Sequence, residues 1–173
     1  MGSLVAQVHA VLSITPERWQ QLVRTLPLAL LSCPPAAGEW SALQCLVHLL
    51  DVERVNFPVR LHAFLAGQDL AAFDPHRAQI ELDTQTPEQL AAAFARARQD
   101  SLVLLEHLKE EDLRRTAQHP EFSSVTLAEL LATWAAHDLN HTVQAERALM
   151  QPFLRRCGPW RVFFGDHAVA GAG

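Results

Sequence analysis

The chain contains 173 residues, of which 49% are hydrophobic and 19% charged, and its formal net charge is −5. This length predicts one domain that can bury a core without a disulfide or a metal, and this composition excludes an intrinsically disordered chain. The acidic balance argues against a nucleic-acid partner, and no apolar stretch approaches the roughly 20 residues that span a membrane.

Helical periodicity dominates the sequence, and proline and glycine mark the ends of four predicted helices. The first helix begins at the Thr-Pro-Glu of residues 15–17, because threonine is a good N-cap and proline suits the first turn, and it ends at Pro27. For residues 3–13 a short leading helix is an open alternative. The second helix runs from Ser41 to about residue 65. Pro58 lies inside it and predicts a kink with a freed carbonyl one turn earlier.

The second half of the chain predicts two more helices. A long connection over residues 68–85 leads to the third helix, which begins at Thr86 with a capping box. Residues 115–124 are predicted to be a loop. The fourth helix begins at Thr126 with a second capping box and continues to about Met150.

These elements predict an all-α fold, a single four-helix-bundle domain over residues 1–173. Its core spans about residues 15–161, and N- and C-terminal extensions flank it. Bundles of this kind place metal sites on inward-facing side chains of neighbouring helices.

The fourth helix carries two histidines on its predicted core stripe. His137 and His141 lie where leucine or alanine is the usual residue, and their i, i+4 spacing projects both rings from one face. Two buried imidazoles without partners would cost about 1–3 kcal/mol each. A metal ion would satisfy both, but hydrogen bonds to the backbone or to Asp138 are an alternative, because a single pair at this spacing is weak evidence.

A third histidine lies on the inner face of the second helix. His48 stands in a stripe that is otherwise apolar, so a site of three imidazoles with an open coordination position is predicted. Neutral imidazoles suit zinc, nickel, copper or iron, and three protein ligands are typical of catalytic zinc. Asp51, three residues after His48, is a candidate hydrogen-bond acceptor or base, and Asp138 is another. For both carboxylates a solvent-facing position is the alternative.

Other candidates have simpler interpretations. Cys45, three residues before His48, is interpreted as a buried core thiol. Arg96 and Arg98 are interpreted as a solvated pair, and the alternative is that one of them faces a substrate anion at the mouth of the bundle. Three widely spaced cysteines predict reduced thiols, and without a signal-peptide pattern they predict a cytoplasmic location.

Several segments together carry a resemblance to a known family. They are Gly38–Ser41, Leu46–Glu53, His119–Phe122, Val125–Leu131, His137–Gln144 and Gly158–Arg161. In these segments the chain resembles the DinB/YfiT-like superfamily of metal-dependent four-helix bundles. Many relatives have glycine where this chain has Ser123, and this departure bears on the shape of the loop.

The resemblance implies an up-down-down-up bundle in which His48, His137 and His141 hold a divalent ion, zinc or nickel. It also implies a thiol S-transferase, which joins a small-molecule thiol to an electrophile, or a hydrolase, and a homodimer. The alternative is a non-catalytic, stress-responsive binding or interaction bundle whose metal is structural or adventitious.

Overall fold

The computed structural model describes residues 2–73 and 85–169 and confirms a four-helix bundle. Its helices and strands are α1 Leu4–Thr25, α2 Leu28–Leu31, α3 Ala42–Val55, α4 Phe57–Ala66, α5 Pro87–Glu106, β1 Thr116–His119, β2 Ser123–Thr126 and α6 Leu127–Leu154. Two 3-10 helices cover Asp112–Arg114 and Gly158–His167. Most of the predicted 68–85 connection lies outside the described residues.

The bundle buries its core between two pairs of helices. Helices α1 and α3 each pack against both α5 and α6, so the four helices enclose a common interior. Trp19, Phe94 and Trp134 are among its largest fully buried side chains. The up-down-down-up order stays a prediction. In the part of the chain that is described, no helix is both long enough and apolar enough to cross a bilayer.

Helix α1 begins eleven residues before the predicted start at Thr15 (15 − 4 = 11), and Pro16 lies inside it. The predicted start was wrong because the carbonyl that Pro16 leaves without a helical N–H donor accepts a hydrogen bond from another side chain. Pro16 has no N–H to donate to the carbonyl of Leu12, four residues earlier. Arg98 Nη1 donates to that Leu12 oxygen instead, at 2.9 Å. A buried guanidinium therefore lets the helix continue through a proline.

The predicted second helix is two helices in the structure. Helix α3 ends at Val55, and α4 begins at Phe57 with Pro58 in its first turn. Asn56 between them has φ −121° and ψ −78°, outside the helical region. The interruption near Pro58 was therefore predicted correctly, and it is a break rather than a kink.

The predicted loop at residues 115–124 contains an antiparallel hairpin. Strands β1 and β2 pair Thr116 with Thr126 and His119 with Ser123. Two four-residue strands are too short for an alternating pattern to stand out in the sequence. The hairpin ends at the N-cap of α6, whose capping box of Thr126 and Glu129 forms as predicted. Helix α6 itself continues past Met150 to Leu154.

Candidate metal centre

Helices α3 and α6 bring three predicted side chains to one point. His48, His137 and His141 each offer a ring nitrogen, and these three atoms lie within 4.8 Å of one another. His48 Nε2 and His137 Nε2 are 3.1 Å apart. The ring centroid of His141 lies 4.6 Å from that of His48 and 4.4 Å from that of His137. The sequence prediction that these rings share an inner face is therefore correct.

Aromatic side chains hold the three rings from two sides. Trp40, at the entry to α3, stacks on His141 with centroids 5.7 Å apart and an interplanar angle of 22°. It also contacts His48 at 4.9 Å. Phe57, at the start of α4, meets His137 edge-on at 5.2 Å. These aromatic contacts restrict the positions that the three imidazole rings can take.

All three imidazoles are neutral near pH 7. Burial, followed by repulsion from His141, lowers the pKa of His48 to about 4. Burial, followed by repulsion from the two other histidines, lowers the pKa of His137 to about 3. The pKa of His141 is also lowered, chiefly by burial. A neutral ring offers a nitrogen lone pair, which is the form that binds a metal ion.

Gln144 orients the ring of His141, a role that was not predicted from the sequence. His141 Nδ1 donates to Gln144 Oε1 at 2.8 Å, which leaves the Nε2 lone pair of His141 available. A ligand histidine usually has such a hydrogen bond on its second nitrogen. The i, i+3 spacing within α6 was the available signal. His137 Nδ1 is buried and has no hydrogen-bond partner among the described residues.

The donor set fits a divalent transition metal. Zinc–nitrogen distances of 2.0–2.1 Å in a tetrahedral site place ligand nitrogens roughly 3.3 Å apart. The 3.1 Å between His48 and His137 agrees with that spacing. Three neutral nitrogens suit zinc or nickel and are poor ligands for magnesium or calcium. The residues present therefore fit such an ion.

A buried ion-pair cluster lies next to the histidines. Arg98 is only 1% exposed and donates to both Asp138 oxygens, at 2.7 and 3.0 Å, and to Glu53 at 2.8 Å. Burial lowers the pKa of Arg98, but the carboxylates of Asp138 and Glu53 outweigh it and raise the pKa. The interpretation of Arg98 as solvated was wrong, whereas Arg96 is exposed as expected. Asp138 does not face solvent.

The remaining candidates occupy the core. Cys45 is fully buried, as predicted, and burial raises the pKa of its thiol to about 12, so the thiol stays protonated. Cys33, Cys45 and Cys157 are all free thiols. Asp51 is buried on α3. Its role as an acceptor or base for the site stays a prediction.

A cavity of about 300 Å³ begins at the histidines. His48 and His137 line one end, and apolar side chains of α4, the hairpin and α6 line much of the rest. Ligand pockets begin at about this volume and are mostly apolar with a few polar groups. The histidine cluster is therefore open to a small molecule on one side.

Comparisons with known proteins agree with the fold. The solved structure of YfiT from Bacillus subtilis, described as a probable metal-dependent hydrolase with an unusual four-helix bundle topology, matches with a TM-score of 0.74. The match is 21% identical and covers 86% of this chain and 87% of that one. No curated protein sequence matches. The model of the DinB superfamily matches residues 12–145, and the chain therefore belongs to the DinB superfamily.

Proposed function

We propose that the protein is a divalent-metal-dependent enzyme in which His48, His137 and His141 hold the ion. The observation that carries this proposal is the meeting of three neutral imidazoles within 4.8 Å at the end of a cavity. The likeness to YfiT supports the same class. Zinc or nickel is the proposed ion.

The proposed reaction uses a small nucleophile, either water in a hydrolysis or a thiol in a transfer to an electrophile. A divalent ion bound by neutral ligands lowers the pKa of a water or thiol that joins it. Gln144 holds His141 in the tautomer that presents Nε2. The apolar wall of the cavity excludes water from the electrophile, and Asp51 is proposed as an acceptor or base.

The alternative is a non-catalytic bundle with a structural or adventitious ion. A structural zinc site is usually closed by a fourth protein ligand. Among the described residues, the metal-binding group contains three side chains and borders a cavity. This favours an enzyme. A homodimer and a cytoplasmic location stay predictions, and sedimentation equilibrium tests the first.

Cobalt substitution followed by turnover assays tests the proposal. Addition of a small thiol to the Co²⁺-loaded protein should produce a sulfur-to-cobalt charge-transfer band, because one position is open. The zinc- or nickel-loaded protein should then hydrolyse activated esters or transfer thiols to aryl electrophiles.

The matched variants for this test are His141→Ala and His62→Ala, since His62 is exposed on α4. Only His141→Ala should lose the band and the turnover. A loaded protein with no band and no metal-dependent turnover would support the non-catalytic alternative and contradict the proposal.

A further inference from the structure

The cavity beside the histidines is a groove that follows one face of α3 and α4. His48, Val52, Asn56 and Arg60 all line it, and their spacing of four residues places them in one row. Twelve residues of α3 and α4, with the break at Asn56 between the two helices, separate the ends of this row. The groove therefore has a histidine end and an arginine end.

The wall between these two ends is mostly apolar, although Asn56, His119, Glu129 and Thr133 also line the groove. It includes Val52, Phe57, Leu70, Phe122, Val125 and Leu130. Phe122 is 69% exposed at the turn of the hairpin. Ligand pockets are lined mostly by apolar and aromatic side chains. The middle of the groove thus suits a hydrocarbon chain or ring.

Arg60 is the cation at the far end. Its side chain is half-buried, and no described residue accepts a hydrogen bond from its guanidinium or lies within ion-pair distance. Burial lowers the pKa of Arg60 more than the nearby carboxylate of Glu121 raises it, so the net shift is downward. An arginine side chain nevertheless keeps its charge.

The carboxylate among the described residues that line the groove is already hydrogen-bonded. Glu129 also lines the cavity, but its Oε2 accepts from the backbone N–H and the hydroxyl of Thr126, at 2.7 and 2.8 Å. It therefore belongs to the cap of α6. A partly desolvated guanidinium at the end of an apolar groove matches an anionic group, because its planar fork fits carboxylate and phosphate oxygens.

We propose that the groove binds a small molecule with an apolar body and a terminal anionic group, and that Arg60 pairs with this anion while the other end of the molecule reaches the histidines. This inference rests on the proposed function, which makes the histidine end the reacting end. It adds a substrate class to that proposed function: an amphiphilic monoanion or phosphate monoester.

Three eight-carbon probes test the role of Arg60. Octanoate, octyl phosphate and octanamide share a chain and differ in charge, and titration calorimetry gives their affinities for the zinc-loaded and the metal-free full chain. Both anions should bind at least about tenfold more tightly than octanamide in both forms. The metal-free form separates pairing with Arg60 from direct binding of the anion to zinc.

Variants of matched charge complete the test. Arg60→Gln should remove the preference for the anions, and Arg60→Lys should retain part of it. Arg54→Gln makes the same charge change at an exposed position of α3 away from the groove and should leave the preference intact. Thermal melts check that each variant is folded. A preference that survives Arg60→Gln, or that exists only with zinc, overturns the inference and leaves the proposed function standing.

The orientation of the probe gives an independent result. In the Co²⁺-loaded protein, paramagnetic relaxation of octanoate protons should be strongest at the methyl end, which faces the histidines. Strongest relaxation beside the carboxylate would overturn the inference, since the anion would then lie at the metal.

Discussion

The guanidinium of Arg98 donates hydrogen bonds of 2.7 and 3.0 Å to the two carboxylate oxygens of Asp138, the residue directly after His137. The same guanidinium donates to Glu53 on α3 and to the carbonyl of Leu12 on α1. One side chain on α5 thus connects all three other long helices of the bundle. This connection fixes α3 and α6, which carry the three histidines, relative to each other.

Removal of the Arg98 guanidinium should destabilise the protein strongly. Arg98→Met leaves Glu53 and Asp138 as two buried carboxylates without their cation, and we expect the free energy of unfolding to fall by about 3–5 kcal/mol. Urea denaturation measures it. Arg96→Met, two residues away and exposed, should stay within about 0.5 kcal/mol of the original protein. Equal effects of the two substitutions would show that the cluster contributes no stability.

Gln144 should matter for metal affinity rather than for folding. Gln144→Ala removes the acceptor of His141 Nδ1, and loss of such a partner lowers metal affinity by about 10- to 100-fold. Competition with a zinc chelator measures the affinity. Asn140→Ala, an exposed position one turn earlier on α6, is the control and should leave zinc affinity unchanged. An unchanged affinity in Gln144→Ala would remove Gln144 from the site.

The metal-free protein should lose stability as pH falls below about 6.5. In the unfolded chain the histidines titrate near 6.5, whereas the folded pKa is about 4 for His48 and about 3 for His137. Between these values the unfolded chain binds protons that the folded chain does not, so the free energy of unfolding decreases. Above about pH 7.5 both states are neutral and this contribution vanishes.

Urea denaturation of the metal-free protein between pH 8 and pH 4 measures that loss. The double variant His48→Gln/His137→Gln should show a shallower decline, because its two substituted side chains do not titrate. Parallel declines in the two proteins would contradict the lowered pKa values.

Ser123 is a site where glycine should stabilise the hairpin. Its φ is +64°, in the left-handed region that costs a non-glycine residue about 1–2 kcal/mol. Ser123→Gly should therefore raise the free energy of unfolding by about 0.5–1 kcal/mol, after allowance for the greater freedom of glycine in the unfolded chain. Ser124→Gly, at the next position of β2, should instead be neutral or destabilising. A loss of stability in Ser123→Gly would refute the strain argument.

The histidine cluster was predictable because helical spacing alone decides which residues share a face. Positions 137 and 141 are one turn apart, and His48 lies in an apolar stripe, so their direction did not depend on unknown contacts. Arg98 was misread even though it lies four residues after Phe94 on the core stripe of α5. The reason is that its burial depends on two carboxylates from other helices, which no local pattern reveals.

The predicted start of the first helix was wrong because a tertiary contact replaced a local hydrogen bond. Thr15-Pro16 has every feature of a helix start, and only the distant Arg98 explains why α1 continues through it. The serine at position 123, where many relatives have glycine, did mark a special backbone position. The hairpin around it was not predicted, because it forms through cross-strand pairing of four-residue segments that are too short to show a pattern in the sequence.

The metal content of the native chain tests the central claim most directly. Protein purified without a tag or chelator, then dialysed against a large volume of buffer with a low free zinc or nickel concentration, should retain one ion per chain by elemental analysis. His137→Ala should retain none while its helical circular dichroism persists, and the exposed His62→Ala should retain one. A native chain without a bound ion, or equal retention by His137→Ala, would contradict a site built by His48, His137 and His141.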